Sequence, residues 1–172
     1  MIIKQPYTIH ENFLSKQNYS ELKEFLYGQQ ISWYHRTYDS PKNLLANKNG
    51  FFSFCWYNDM RPDHPLFDKH ILPILNQLNA FIPVQVRANL VHRDVDTKES
   101  DWHNDYYKDE VKTAILYFTT CNAKTLLNID EKEIVPIDSI ENRIVIFPSK
   151  TKHKVIYQTD VHKRIVINFN FI

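Results

Sequence analysis

The stretch KTAILYFTTCNAKTLLNIDEKEIVPIDSIENRIVIF, residues 112–147, decides the fold of this chain. It alternates short runs of apolar, aromatic and β-branched residues with polar turns, which is the pattern of short strands joined without helices between them. Such a succession favours an antiparallel sandwich or jelly roll. Together with similar runs on either side, it predicts seven strands, over residues 84–91, 112–119, 125–129, 133–137, 143–147, 154–159 and 164–171.

The first 83 residues have a more helical character. Residues 15–27 place apolar side chains at helical spacing, with Ser15 as the N-cap and Gly28 as the stop. A second helix is predicted over residues 65–78, and Pro73 should kink or divide it. A strand, a loop and a further strand are predicted over residues 31–38, 39–49 and 51–57.

One domain is expected to span residues 1–172, because the chain shows no repeat, no low-complexity tract and no linker. Its front, residues 1–83, contains the helices and the first strands, and its core, residues 84–172, contains the β-rich part. We therefore predict an α+β fold in which the N-terminal helices pack on one sheet of a jelly roll.

Composition excludes several classes of function. The formal net charge is +1, so the sequence offers no global field for nucleic acid or an acidic membrane. Only two glycines occur, which excludes Gly-rich phosphate-binding loops. Cys55 and Cys121 are too few for a disulfide framework and do not form a metal motif. The sequence shows no membrane-spanning run and no secretory signal, so we expect a cytoplasmic protein that does not contact membranes.

Residues 103–105, His-Asn-Asp, place a histidine and a carboxylate two positions apart, so that both would point to the same face of a strand. With His153 from a distant strand, His103 and Asp105 could hold one face of an iron ion and leave positions open for other ligands. Residues 92–94, His-Arg-Asp, have the same spacing and are either an alternative ligand pair or a surface charge cluster. The location of the first pair just before an apolar strand favours it.

Arg164 opens the strand predicted over residues 164–171 and follows His153 in the sequence. A guanidinium group can bind the distal carboxylate of a dicarboxylate cosubstrate in bidentate fashion. An arginine at the start of a strand can also be an exposed charge. Its place after the distal histidine favours the first interpretation.

Taken in order, these residues resemble the 2-oxoglutarate and iron(II)-dependent oxygenase superfamily. The matching segments are WHND at residues 102–105, NRIVIFPS at residues 142–149 leading to His153, and RIVINF at residues 164–169. The resemblance covers residues 84–172 and is greatest for small prolyl-hydroxylase-like members, including those encoded by phages and bacteria. It implies a double-stranded β-helix with the metal near the mouth of the barrel.

The resemblance also implies the ligands. His103, Asp105 and His153 would bind Fe(II), and Arg164 would bind 2-oxoglutarate, with O2 as the second cosubstrate and ascorbate as a supporting reductant. Three further residues carry over to the cosubstrate site, namely Tyr117, Asn89 and Asn168. The tyrosine could instead be an ordinary core residue.

Two features depart from the pattern of the family. Relatives usually have a Gly-rich stretch after the tyrosine strand, where this chain has CNAKT at residues 121–125. Relatives often have a tyrosine before the first metal ligand, but here that neighbourhood reads LVHR at residues 90–93. His92 or another residue would have to substitute for it.

The implied activity is hydroxylation of a C–H bond with release of succinate and CO2. By family analogy the first substrate to consider is a prolyl residue of a peptide or protein, with a small molecule as the other option and nucleic acid disfavoured by the neutral charge. A non-catalytic metal- or sugar-binding jelly roll and a zinc hydrolase are the alternatives from other classes. Aromatic residues at positions 33–38, 102, 106 and 107 would border the substrate or pack in the core, and residues 41–49 could form a lid, an interface or a mobile loop.

Overall fold

The computed structural model describes residues 6–36, 50–93 and 99–172 of the chain. Its helices are α1 (Lys16–Tyr27), α2 (Phe67–His70) and α3 (Leu72–Gln77). Its strands are β1 (Thr8–His10), β2 (Tyr34–Arg36), β3 (Phe51–Asn58), β4 (Arg61–Pro62), β5 (Pro83–His92), β6 (Lys112–Tyr117), β7 (Cys121–Ile129), β8 (Glu133–Ser139), β9 (Ile144–Pro148), β10 (Lys152–Ile156) and β11 (Lys163–Phe171). The loop predicted over residues 39–49 lies outside the described residues. Among the helices that are described, none has the length and hydropathy needed to cross a membrane.

Each of the seven strands predicted after residue 83 is present, as β5 to β11, with ends displaced by a few residues. The sequence pattern does not indicate β1 or β4. β1 has three residues and pairs with β9, so that Thr8 lies opposite Ile146. A strand that depends on a partner so far along the chain leaves little local signal.

Both predicted helical regions are helical. α1 begins after Ser15, whose side-chain oxygen accepts a hydrogen bond from the backbone N–H of Asn18 at 3.3 Å. The second region is divided into α2 and α3, with the break at Ile71 rather than at Pro73. Pro73 lies in the first turn of α3, where the missing backbone N–H leaves no helical hydrogen bond unmade.

Within the described ranges the strands form two sheets, and the strands within each sheet are antiparallel. The larger has the order β1-β9-β6-β11-β5-β3-β2, with β4 paired to β3, and the smaller has the order β10-β7-β8. Neighbours such as β11 and β5 are far apart in sequence, which is typical of a jelly roll.

Side chains of β11 alternate between two buried clusters. Ile165, Ile167 and Phe169 are 0% exposed and belong to a large cluster that also contains residues of α1, α3, β3 and β5. Val166 belongs to a second cluster, which joins residues of both sheets, such as Leu127 of β7. Polar residues on the side of β11 that carries Val166 therefore lie between the two sheets.

Candidate metal centre

His103 and His153 lie opposite each other although they are distant in sequence. Each donates its backbone N–H to the carbonyl of the other, at 3.0 Å from His103 and 2.8 Å from His153. His153 belongs to β10, and His103 lies in the segment between β5 and β6. This isolated bridge attaches the segment to the smaller sheet and brings the two ring centres to within 4.3 Å of each other.

His103, Asp105 and His153 come together as the sequence predicts. One potential ligand atom from each lies within 4.8 Å of the other two, and His153 Nε2 is 3.7 Å from Asp105 Oδ1. His153 is buried, Asp105 is half-buried and His103 is exposed, so the group is open to solvent on one side. Elsewhere in the described part of the chain, no three histidine, cysteine or acidic side chains meet in this way.

The second nitrogen of each imidazole faces the backbone. His103 Nδ1 lies 3.0 Å from the carbonyl oxygen of Asp101, and His153 Nδ1 lies 3.1 Å from that of Thr151. Because a carbonyl only accepts, each Nδ1 carries the proton and each Nε2 keeps the lone pair that a metal needs. Burial lowers the pKa of His153 while the charge of Asp105 raises it, and the net lowering favours the neutral imidazole.

Two hydrogen bonds hold one oxygen of the Asp105 carboxylate. Thr113 Oγ1 in β6 and Asn168 Nδ2 in β11 each lie 3.0 Å from Oδ2. The other oxygen, Oδ1, faces His153. The carboxylate thus presents one oxygen toward the imidazoles, which is the donor arrangement of two histidines and one carboxylate on one face of a metal.

A cavity of about 130 Å³ lies beside this group of side chains, between the two sheets. His103 and His153 form part of its wall, and so do Arg164, Asn89 and Asn168, three of the predicted cosubstrate residues. Most of the remaining wall is apolar and comes from Phe51, Val91, Ile115, Val155, Tyr157 and Val166. Such a wall limits the access of water to a bound molecule.

Arg164 is 2% exposed and reaches the cavity from β11. Its Nε donates to Ser139 Oγ at 3.2 Å, and its guanidinium carbon lies 5.5 Å from the centre of the Tyr117 ring. The interpretation of Arg164 as an exposed charge at a strand end is therefore wrong, because the side chain is buried and held by polar and aromatic neighbours.

Tyr117 lies one layer behind the cavity. It is 0% exposed and donates its hydroxyl to Thr125 Oγ1 at 2.9 Å. Thr125 lines the cavity, whereas Tyr117 lies against the guanidinium of Arg164. A direct hydrogen bond from Tyr117 to a cosubstrate stays a prediction.

Asn89 and Asn168 line the cavity from neighbouring strands. In each, the side-chain oxygen is buried without a hydrogen-bond partner within the described ranges. Asn168 directs its amide nitrogen to Asp105. Since an unpaired buried acceptor is costly, both oxygens are suited to contact a hydrogen-bond donor in the cavity.

His92, the alternative metal ligand, lies at the end of β5 with an exposed side chain. Its ring packs 5.7 Å from that of Phe52. Because side chains alternate along a strand, His92 points away from the face on which Val91 lines the cavity. Asp94 lies outside the described residues.

Four polar residues of the site are not singled out by the sequence motifs. They are Thr113, Thr125, Ser139 and Ser149, each 0% exposed. All four lie in or next to strands, and hydroxyl groups buried in such positions need partners. A serine or threonine in or next to a predicted strand is therefore the sequence feature that could have indicated these four residues.

Three of the aromatic side chains that were predicted either to border the substrate or to pack in the core are exposed. Trp102 is 37% exposed, Tyr107 is 83% exposed and Tyr34 of β2 is 63% exposed. Lys154 Nζ lies 5.0 Å from the centre of the Trp102 ring. These three side chains are therefore available to a binding partner rather than packed in the core.

No family model matches this sequence, and no curated protein matches it at a significant level. Solved structures do match, at low sequence identity. An oxidoreductase of the 2OG-Fe(II) oxygenase family from Burkholderia pseudomallei is 7% identical, with a TM-score of 0.75 over 96% of this chain and 84% of that one. A prolyl hydroxylase from Trichoplax adhaerens, solved with a hypoxia inducible factor peptide fragment, is 15% identical, with a TM-score of 0.66 over 98% of this chain and 84% of that one.

The chain has the jelly-roll fold of the 2OG-Fe(II) oxygenases. An epimerase of nogalamycin biosynthesis, solved with Fe3+, alpha ketoglutarate and nogalamycin RO, matches with 8% identity and a TM-score of 0.67, over 97% of this chain and 78% of that one. The prediction of a jelly roll is confirmed. Because the matches cover nearly the whole chain, the shared oxygenase fold extends beyond residues 84–172, on which the sequence resemblance rests.

Proposed function

We propose that this protein is an Fe(II)- and 2-oxoglutarate-dependent dioxygenase that hydroxylates a C–H bond and releases succinate and CO2. The observation that carries the proposal is the meeting of a buried cation, Arg164, and the group of His103, Asp105 and His153 at one cavity. A metal site with only a structural role does not need a buried cation on the same cavity. The shared fold supports the same function by analogy.

In this proposal His103, Asp105 and His153 hold the metal. Two neutral imidazoles and one carboxylate suit Fe(II) and leave positions open for other ligands. Bound iron(II) supplies the activation of O2, coupled to the decarboxylation of 2-oxoglutarate. The protein keeps each imidazole in the tautomer with a free Nε2 and keeps one oxygen of Asp105 turned toward them.

Arg164 would bind the distal carboxylate of 2-oxoglutarate through charge-assisted hydrogen bonds. Tyr117 supports the guanidinium from behind, and Asn89 and Asn168 belong to the polar part of the wall. The apolar part excludes water, which strengthens the attraction between Arg164 and the carboxylate. Ascorbate would keep the metal reduced between turnovers.

As substrate we propose a prolyl residue of a peptide or protein. One solved structure with this fold is a prolyl hydroxylase bound to a peptide, and the exposed rings of Trp102, Tyr107 and Tyr34 offer contact area for an extended chain. A small molecule is the second candidate, because an epimerase with the same fold was solved with nogalamycin RO.

We also propose that residues 1–172 form one domain in which the helices cover the outer face of the larger sheet. Phe25 in α1 lies 5.2 Å from Trp56 in β3, measured between ring centres. Ile74 and Leu75 of α3 belong to the same buried cluster as Trp56. This layer would keep the sheet that carries Arg164 rigid.

Succinate formation from 2-oxoglutarate, under air with Fe(II) and ascorbate, tests the function before any substrate is known. Wild type should form succinate slowly, and His103→Ala and His153→Ala should not. His92→Ala is the matched control and should behave as wild type, because His92 points away from the cavity. If wild type forms no succinate and shows no iron-dependent binding of 2-oxoglutarate by calorimetry, the proposal is wrong and a non-catalytic metal-binding jelly roll remains.

A further inference from the structure

The carboxylate of Asp105 is held from two strands. Asn168 Nδ2 in β11 and Thr113 Oγ1 in β6 both lie 3.0 Å from Oδ2. β11 and β6 are paired, with Asn168 opposite Ile115 and Asn170 opposite Thr113, so the two donors are diagonal neighbours on one face. The donors thus come from two paired strands of the larger sheet, whereas Asp105 itself lies in the irregular segment before β6.

We propose that Asn168 is a positioning residue that fixes Asp105 so that Oδ1 alone faces the metal. The inference rests on the proposed function, because it assigns the role of Asn168 toward the iron ligand rather than toward 2-oxoglutarate. Oδ1 already lies 3.7 Å from His153 Nε2, while the bond from Asn168 turns Oδ2 away. A carboxylate free to rotate could bind the metal through both oxygens and occupy a position that the cosubstrate or O2 requires.

Asn168 is better suited to this role than Thr113. The Thr113 hydroxyl has one proton, and three oxygens surround it: Asp105 Oδ2 at 3.0 Å, Ser149 Oγ at 3.0 Å and Asn170 Oδ1 at 2.8 Å. The Asn168 amide nitrogen has no such competition within the described residues, since Asp105 is its one acceptor there.

The orientation of the Asn168 amide is fixed by the same bond. An ionised carboxylate only accepts, so the amide must turn its nitrogen toward Asp105. Its oxygen is then left buried without a partner among the residues described. The charge-assisted bond to Asp105 explains why an asparagine lies at this position of β11 although its side-chain oxygen has no partner there.

Titration with Co(II) without 2-oxoglutarate tests the role apart from turnover, with visible absorption as the readout. Asn168→Leu keeps the approximate size and removes the donor, and it should weaken Co(II) binding by roughly 10- to 100-fold and change the cobalt absorption bands. Asn168→Ala should change both in the same direction. Asn128→Leu, on the outer face of the smaller sheet, is the matched asparagine control and should bind Co(II) as wild type does.

The outcomes separate this inference from the proposed function. If wild type binds Co(II) and the Asn168 variants, shown to be folded by circular dichroism, bind it with unchanged affinity and absorption, Asn168 has no positioning role. If wild type binds no Co(II) at all, the proposed function fails and the role of Asn168 fails with it. Should Asn168→Leu not fold, the result for Asn168→Ala decides.

Discussion

His103 and His153 contact each other through both backbone and side chain. A pair of backbone hydrogen bonds links the two residues, and the centres of their imidazole rings lie 4.3 Å apart. The bridge attaches the segment before β6 to the smaller sheet. A metal bound by both imidazoles would strengthen that same connection. Because the ligand group forms only in the folded chain, metal binding should also stabilise the fold.

The first prediction is a metal-dependent rise in the melting temperature. A ligand present at about 100 times its dissociation constant stabilises the folded state by about 2.7 kcal/mol, which corresponds to about 5–10 °C for a chain of this size. Differential scanning fluorimetry under nitrogen, with Fe(II) or Co(II), measures the shift. It should disappear in His153→Ala and persist in His92→Ala. An equal shift in both variants would place the bound metal elsewhere.

The second prediction concerns Arg164. Loss of a buried, charge-assisted contact to a carboxylate costs about 1.5–3 kcal/mol, so Arg164→Leu should weaken 2-oxoglutarate binding by roughly 10- to 100-fold. Arg164→Lys keeps the charge but not the planar pair of donors, and it should fall between Leu and wild type. Calorimetry on the Co(II)-loaded protein measures the affinity.

Metal binding serves as the control for the Arg164 variants. Co(II) affinity should be unchanged, because Arg164 contacts Ser139 and Tyr117 rather than the three proposed metal ligands. Unchanged 2-oxoglutarate affinity in Arg164→Leu would remove Arg164 from the proposed cosubstrate site.

The strands and the grouping of His103, Asp105 and His153 are predictable because their signals are local or chemical. The alternation in β11 shows which residues point between the sheets, since its period follows from strand geometry alone. His103, Asp105 and His153 can be selected from the sequence by their ligand atoms and by their order along the chain. No local sequence feature indicates that the two histidines lie opposite each other.

Contacts that depend on register are not predictable in this way. The pairing of β11 with β6 places Asn168 beside Asp105, and no pattern within either strand specifies that pairing. The position of Tyr117 behind Arg164 likewise depends on how the sheets pack. For the same reason β1 is missed, because it is formed by its pairing with β9.

The third prediction concerns Asn142, which ties the N-terminal segment to the sheet. Its side-chain oxygen accepts from the backbone N–H of Leu14, and its amide nitrogen donates to the Leu14 carbonyl, both at 2.8 Å. Asn142 is 9% exposed and has a φ of 59°, a left-handed conformation that asparagine tolerates. The residue therefore combines a backbone role with a side-chain role.

Asn142→Gly separates the two roles, because glycine keeps the backbone conformation and removes both hydrogen bonds. Two buried backbone groups of Leu14 would lose their partner, so the free energy of unfolding should fall by about 2–4 kcal/mol. Urea denaturation measures it. Asn12→Gly, at an exposed asparagine with a φ of 50°, is the matched control and should change stability by less than about 0.5 kcal/mol. Similar small changes in both variants would contradict the role of Asn142.

The fourth prediction is a pH dependence of stability that originates at His70, far from the proposed metal ligands in sequence. His70 is 9% exposed and packs against the rings of Phe25 and Trp56. Burial lowers its pKa, and the neighbouring charge of Lys69 adds to the effect, while Glu21 opposes it. The folded pKa lies below the unfolded value of about 6.5, so the unfolded chain takes up the proton first as the pH falls.

The stability that His70 contributes is therefore complete above about pH 6.5 and is lost as the pH falls from there through the folded pKa. The slope from one such group is at most about 1.4 kcal/mol per pH unit. Urea denaturation between pH 7.5 and about pH 5, with a chelator present, should show a flatter dependence for His70→Phe than for wild type. His10→Gln, at an exposed histidine of β1, should leave the wild-type slope unchanged. Buried His153 and half-buried His64 also have lowered pKa values, so wild type keeps part of its slope in either variant. Only the difference between the His70 and His10 variants therefore measures the contribution of His70.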